Sequence, residues 1–492
     1  MKKRSANFFV DLLKVGFSNI FALFSGVLLG LVLPKIAGIE DYGYYRIFTM
    51  YVTYVGLFHF GICDGCYLYF SGKKIEEIQK EKLHSLIVSL ISLEGLIMII
   101  GAIISLFSFS DLNYKFIFIM TFIYMFFANV ENMFVLISQA TKLFNLSSLF
   151  NSLKAALNCL WVVILYIVYK ISGKLFDNYY LFIILFISTV CISDLCYIVR
   201  FYKVIFSKGI GIKEVFSDLK TYLCLGFPLM IANLSTSIII LIDRQIVSFY
   251  YPVDISNTFA YYSFAYSMLN LIANATNSIS VVLYPYMKNK EMSNLKENFF
   301  NFCVLIIVFV SLALSLYFPL EIFVNNVLAK YSNSLPIFKV ILPSLLPNVL
   351  VTIIMHNYFK LLGKEKSYLF INIFILILKL IVSLLIYNFL IKPYFSDNPI
   401  ALSVSSLIVM FVWYFITEII LLRLIKFKHL KNDIFIILIT GLFYLISYSF
   451  NAILGFIIYL FIALLLIVIY YGNDLYRIKT KNDFITELVN RR

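Results

Sequence analysis

The sequence predicts an all-α integral membrane protein with about 14 transmembrane helices. Three observations carry this. Of 492 residues, 62% are apolar and only 13% are charged. Mean hydropathy is +0.93. The Lys and Arg residues recur in small groups between long apolar runs. A soluble domain is nearer half apolar and a quarter charged. Lipid as outer solvent removes the need to cover apolar surface with charge.

The spans follow from length. A helix needs roughly 20 apolar residues to cross the hydrocarbon. Candidates lie at about 12–34, 45–70, 83–107, 114–137, 148–169, 179–200, 221–249, 258–286, 298–318, 334–361, 367–390, 400–422, 432–449 and 452–471. Polar residues interrupt the seventh, eighth and tenth. A short interfacial helix is expected around 320–330. The start is basic and then apolar, but no small-residue cleavage site follows, so residues 12–34 read as a first span and not as a secretory signal.

Charge orients these spans. With the first residues placed in the cytoplasm, thirty of the forty Lys and Arg fall inside, eight outside, and Arg244 and Lys379 within spans. That asymmetry obeys the positive-inside rule and puts both termini in the cytoplasm. The net charge of +14 is thereby spent on loops, with no extended basic face for nucleic acid. The loops are short, so function must reside in the bundle.

A weak internal echo divides the chain. Gly16-Phe17 in the first span matches Gly226-Phe227 in the seventh, and Tyr42-Gly43-Tyr44-Tyr45 matches Phe259-Ala260-Tyr261-Tyr262. Two six-helix lobes of the same orientation follow, a parallel repeat of a kind known in transporters. Residues 1–205 form the first lobe, 206–428 the second, and 429–492 two further helices and a cytoplasmic tail.

Polar stripes at helical spacing mark the interior. Ser263, Ser267, Asn270, Asn274 and Asn277 share one face of the eighth span. Asn233, Ser237 and Arg244 share a face of the seventh. Asn372, Lys379 and Ser383 do so on the eleventh, Asn151, Lys154 and Asn158 on the fifth, and Asn348, Thr352 and His356 on the tenth. Any one stripe reads equally well as helix–helix hydrogen bonding; five together point to a wet central cavity. A charge at the centre of a span costs about 3 kcal/mol, so Arg244 and Lys379 are the cations placed to meet an anion. Glu94 has no polar neighbour on its own helix face. Asp64 lies between Gly61 and Gly65, where a bend is expected, and Glu131 lies in the fourth span. Asp194 and Glu418 read as span-end residues that snorkel or cap. Cys63 and Cys66 read as small packing residues, and no disulfide is implied. No P-loop, nucleophile elbow or HExxH motif occurs, and no metal or cofactor is expected.

The residues Leu13-Lys14-Val15-Gly16-Phe17-Ser18-Asn19, Leu33-Pro34-Lys35, Asp41-Tyr42-Gly43-Tyr44-Tyr45, Tyr54-Val55-Gly56-Leu57 and Gly61-Ile62-Cys63-Asp64-Gly65 resemble the opening of bacterial oligosaccharide flippases. These are the Wzx-like polysaccharide-biosynthesis family, within the multidrug/oligosaccharidyl-lipid/polysaccharide (MOP) exporter superfamily. The likeness is best over 12–72 and extends loosely to the helix count and to Asp243 near the end of the seventh span. It implies two lobes that rock around a cavity and carry an undecaprenyl-pyrophosphate-linked oligosaccharide across the cytoplasmic membrane. Its partners would be that lipid-linked substrate, membrane lipid and polysaccharide polymerase machinery, with a monomer expected. Arg244, Lys379 and Lys154 would then meet the pyrophosphate, and Asn233, Ser237, Asn270, Asn274 and Asn277 the sugars. Glu94, Asp64, Asp243 and Glu131 would couple transport to an ion gradient.

Three alternatives are weighed against this. A lipid II flippase has fourteen spans but carries arginines and an acid in its first span, where this chain has only Lys14. A drug or small-molecule antiporter of the same superfamily would favour an acidic cavity over Arg244 and Lys379. An integral-membrane polymerase or glycosyltransferase would need more than the short outer loop that holds Glu40-Asp41.

Overall fold

The structure is a computed structural model. It describes residues 18, 20–288, 295–392, 399–427 and 429–481; side chains are described for these except 212, 274–288, 295–297 and 478–481. Among the described residues it is helical, with β structure limited to one isolated bridge between Ala37 and Phe176. Among the described residues eleven helices are long and apolar enough to cross a membrane, or twelve if one bent pair is a single span. The expected count of fourteen is not reproduced. The first expected span survives as the shorter Ile20–Ile36, its beginning lying outside the described residues. The eighth is a helix, Thr258–Lys288, that is not among the eleven.

The chain forms two compact units, 1–263 and 264–492. In the first, α1 is Ile20–Ile36. A bent pair follows, α2 at Ile39–Val52 and α3 at Ile62–Phe70. Then come α4 at Lys80–Ser108, α5 at Leu112–Ala140, α6 at Phe144–Ser172 and α7 at Tyr179–Ile205. The last full helix is α8 at Ile212–Tyr250. Helix α9, Thr258–Lys288, begins in this unit and continues into the second.

Local chemistry explains the irregularities. The second expected span is broken between α2 and α3 with a bend of 54°. Gly61 sits at the break with φ 87°, a conformation that glycine adopts without steric cost. Helix α8 has 39 residues, about 58 Å at 1.5 Å per residue, against a hydrocarbon core of about 30 Å. Its first turns therefore occupy what the sequence presents as a connecting segment. There Asp218 meets Lys82 of α4 at 3.4 Å.

Close packing draws α3 against α8. A Cβ built on Gly65 would collide with the backbone carbonyl of Tyr222, and one on Gly226 with the carbonyl of Gly61. Glycines let helix backbones approach this closely, as in many membrane interfaces. Around this crossing lies an apolar core of Ile62, Cys63, Cys66, Leu86, Leu90, Phe134 and Tyr197. Both cysteines are free and buried.

The second unit starts within α9. The segment α10 runs Asn298–Val327. It passes through a 3-10 turn at Leu314–Leu316, so the interfacial helix expected at 320–330 is the end of this span. The segment α11, Ala329–Leu361, is the most enclosed, with 89% of its apolar window buried. Pro336, Pro343 and Pro347 break it into short helices and 3-10 turns because each lacks an amide donor. Helices α12 at Glu365–Ile391, α13 at Ile400–Ile425, α14 at Lys431–Ser449 and α15 at Ala452–Lys481 complete the unit.

Outer faces remain apolar. On α4, Leu96, Ile99, Ile103 and Phe107 are exposed while Leu83, Leu86, Leu90 and Glu94 are buried. On α15, Ile453, Ile457, Phe461 and Val468 are exposed. Such continuous apolar faces need lipid as their solvent. The protein is a multi-pass membrane protein.

Candidate functional site

The buried charges of the first unit gather in three places. The first joins α2 and α8. Arg244 is 3% exposed, and its Nη2 donates to the backbone carbonyl of Arg46 at 3.2 Å. The Arg46 guanidinium lies 5.8 Å from the Tyr42 ring centroid. Its Nε is buried with no hydrogen-bond partner among the described residues. Next along α8, Gln245 donates to the Tyr51 hydroxyl at 2.8 Å. Asp243 is fully buried. Arg244 is thus buried against the backbone of α2, the helix that also carries Arg46, and guanidiniums suit an anion.

The second place joins α5, α6 and α7. Lys154 Nζ donates to Glu131 Oε2 at 2.9 Å, and Ser193 donates to Glu131 Oε1 at 2.7 Å. Asp194, next in the chain, is 3% exposed. Neither of its carboxyl oxygens has a hydrogen-bond partner among the described residues. Two carboxyls share one lysine here. With all three ionised the cluster carries a net negative charge, which a bound proton or monovalent cation would neutralise.

The third place lies beside the broken span. Glu94 is fully buried. Asn129 of α5 donates to its Oε1 at 2.9 Å and to the Val55 carbonyl at 3.1 Å. Asp64 of α3 faces His59 Nε2 at 3.8 Å, and the Gly61 amide donates to His59 Nδ1 at 3.0 Å. Because Nδ1 accepts that bond, a neutral His59 carries its proton on Nε2, toward Asp64.

In the second unit Lys379 is fully buried. Its Nζ donates to Ser406 Oγ at 2.7 Å, and Ser406 also bonds the Tyr266 hydroxyl at 2.8 Å. Along the same stripe Asn372 accepts from Trp413 Nε1 at 3.0 Å and Ser383 meets Ser405 at 3.3 Å. The spacing expected on α12 is therefore real, and its whole length faces α13.

The remaining expected residues are more scattered. Asn233 and Asn270 are exposed and Ser237 is half-buried. The side chains of Asn274 and Asn277 lie outside the described residues. Four residues join the sites without having been singled out for them. Charge counting puts Arg46 among the eight outside cations, Asp194 read as a span-end acid, and Asn129 and Ser193 belong to none of the five stripes. Asp194 carried a legible signal, a second acid in the half of the bundle that holds Glu131. Among the described residues no group of three or more His, Cys, Asp or Glu could hold a metal ion.

No protein-family model and no curated protein matches the chain. Solved structures do. An inward-facing multidrug resistance MATE family transporter of the MOP superfamily aligns with TM-score 0.59 at 12% identity, over 85% of this chain and 99% of that one. A MATE transporter from Vibrio cholerae aligns with TM-score 0.56 at 13% identity, over 85% and 97%. An outward-facing MATE transporter of the MOP superfamily gives 0.52 at 15%, over 85% and 96%. These matched proteins are transporters. The chain has the all-helical membrane-transporter fold of the MOP superfamily's MATE proteins.

Proposed function

We propose that this protein is a flippase. It carries an undecaprenyl-pyrophosphate-linked oligosaccharide repeat unit across the bacterial cytoplasmic membrane by alternating access, with both termini in the cytoplasm. The observation that carries this reading is the buried Arg244 guanidinium bonded to the α2 backbone at Arg46, with the Arg46 guanidinium over Tyr42 and Gln245 on the Tyr51 hydroxyl. A pyrophosphate needs guanidiniums, and the first sugars need aromatic and amide groups. Arg46, on the helix that Arg244 bonds to, is proposed as the second cation in place of Lys379. Lys379 is enclosed at the α12–α13 contact, where it bonds Ser406. The Glu131–Lys154–Asp194 cluster is the proposed ion-coupling site, with Glu94 a second acid in the same unit. Lys154 is then a partner of the coupling acids and not of the pyrophosphate.

Complementation of a flippase-null strain with defined surface polysaccharide tests this. Arg244→Ala and Arg46→Ala should each abolish or sharply reduce polysaccharide at unchanged membrane protein levels. Normal polysaccharide in both variants sinks the reading.

A second reading, drug antiport, is favoured by the multidrug transporters among the matched structures and by the net negative Glu131–Asp194 cluster. It expects raised resistance to cationic dyes in an efflux-deficient host and no complementation. It also expects Glu131→Gln to be more damaging than Arg244→Ala.

A further inference from the structure

The connection from α7 to α8 lies outside every site above. It is fastened to the first turns of α4. His84 Nδ1 donates to the Ile205 carbonyl at 2.7 Å, and the Ile210 amide donates to Ser85 Oγ at 2.9 Å. Ser207 Oγ donates to the Lys80 carbonyl at 3.3 Å, and Asp218 pairs with Lys82 at 3.4 Å. These bonds make residues 205–218 a fixed part of the first unit and not a slack tether.

Two apolar stripes end at this platform. On α7, Ile192, Leu195, Val199, Tyr202 and Phe206 are all exposed. Their intervals of 3, 4, 3 and 4 put them on one face. That face runs without a break from the span down to Phe206, which is 80% exposed. On α8, Phe216, Lys220 and Phe227 share an exposed face, and Phe216 is 69% exposed. Rings at the end of a lipid-facing stripe suit the interfacial layer of a bilayer, where one edge meets acyl chains and the other headgroups. The continuity of the α7 stripe with the spanning helix makes lipid, and not a soluble partner, the surface that covers it.

Cations cluster at the same depth. Arg200, Lys203, Lys208, Lys213 and Lys220 are all exposed, and Lys203 Nζ lies 5.8 Å from the Tyr202 ring centroid. The acids among them are Glu214 and Asp218, and Asp218 is taken by Lys82. The connection from α3 to α4 is different, because there Lys73, Lys74, Lys80 and Lys82 are interspersed with Glu76, Glu77 and Glu81. Lys and Arg close to a bilayer surface attract anionic headgroups, and the pull fades within a Debye length.

We propose that the α7–α8 connection is a docking surface for anionic phospholipid. Phe206 and Phe216 enter the interfacial layer, and the five cations hold the phosphates of the surrounding headgroups. Because the platform is bonded to α4, lipid held there also fixes the ends of α7 and α8 against that helix. The proposal rests on the fold and is independent of which substrate the protein carries.

Fluorescence quenching in vesicles tests it. The native tryptophans, Trp161 and Trp413, are buried, so the emission added by Phe216→Trp reports on the platform. Vesicles mix phosphatidylglycerol and phosphatidylcholine, with brominated chains on one or the other. Brominated phosphatidylglycerol should quench the added emission more strongly at equal mole fraction, and high salt should shrink the difference. Adding Lys203→Gln, Lys213→Gln and Lys220→Gln should bring the two lipids to parity. These side chains are exposed, so the variant should fold. Lys73→Gln with Lys74→Gln should leave the preference in place. Equal quenching by the two lipids before the lysines are changed overturns the proposal, as does quenching by neither. So does a preference that survives the triple change, or one that Lys73→Gln with Lys74→Gln removes. Abolition of the preference by millimolar inorganic phosphate overturns it in favour of a site for free phosphate.

Discussion

Asn129 donates one amide group to both the Glu94 carboxylate and the Val55 carbonyl, at 2.9 and 3.1 Å. A single side chain on α5 thus ties α4 to the break in the second span. Removing it would leave a fully buried carboxyl and a buried carbonyl short of a donor. An unmade buried hydrogen bond costs about 1–3 kcal/mol. Asn129→Ala should lower the thermal midpoint in detergent accordingly. Adding Glu94→Leu should recover part of the loss, because the carboxyl that needed the amide is gone. Strict additivity of the two changes would refute the coupling.

The α3–α8 crossing depends on having no side chain. Gly65→Ala and Gly226→Ala would each drive a methyl into a neighbouring backbone, and backbone cannot rotate aside. Both should prevent accumulation of folded protein. Gly441→Ala, where a Cβ meets nothing within 4 Å, should be neutral or stabilising by up to about 1 kcal/mol. Folded yield measured by size-exclusion profile in detergent separates the three.

Glu131 is held by Lys154 and Ser193 together. Lys154→Met should be more damaging than the double change Lys154→Met with Glu131→Gln. The single change strands a carboxylate whose side chain is 7% exposed, whereas the double change removes the charge as well. Loss of a hydrogen bond to a charged group is worth about 1.5–3 kcal/mol. A stability ranking with the double variant lowest would overturn this account.

His429 follows α13 and lies outside the spans. Its ring meets Phe300 at 4.4 Å and Phe427 at 5.8 Å. Its Nε2 is buried with no hydrogen-bond partner among the described residues. Burial lowers its pKa from 6.5, and Asn432 and Asp433 only partly oppose this. The unfolded chain then binds the proton more readily than the folded one. Stability should therefore fall as pH drops through about 6.5 and below. His429→Gln should flatten that part of the profile, measured as thermal midpoint against pH.

Several elements were legible because helical periodicity leaves a mark in one dimension. Asn372, Lys379 and Ser383 are spaced for one face, and that face is where α13 packs. Gly61 and Gly65 announced a bend, and a bend occurs. What the spacing left open was the partner. Ser406 is 27 residues from Lys379 and Asn129 is 35 residues from Glu94, and no periodicity links them. Helix α2 starts at Ile39, before the apolar run does, and so carries Arg46 in a helix whose backbone Arg244 bonds. Fourteen spans are not confirmed among the described residues, where eleven or twelve helices are long and apolar enough to cross.

Many hydroxyls in these helices bond to a carbonyl four residues back on their own helix. Thr121 does so to Ile117, Ser138 to Phe134, Ser105 to Gly101 and Thr417 to Trp413. Such a group carries its partner with it wherever the helix goes. Sliding one helix past another then breaks none of these bonds, and the resistance comes from the few that cross, such as Lys154 to Glu131 and Lys379 to Ser406. The friction of rearrangement is concentrated in a handful of side chains, and those side chains set which helices travel together.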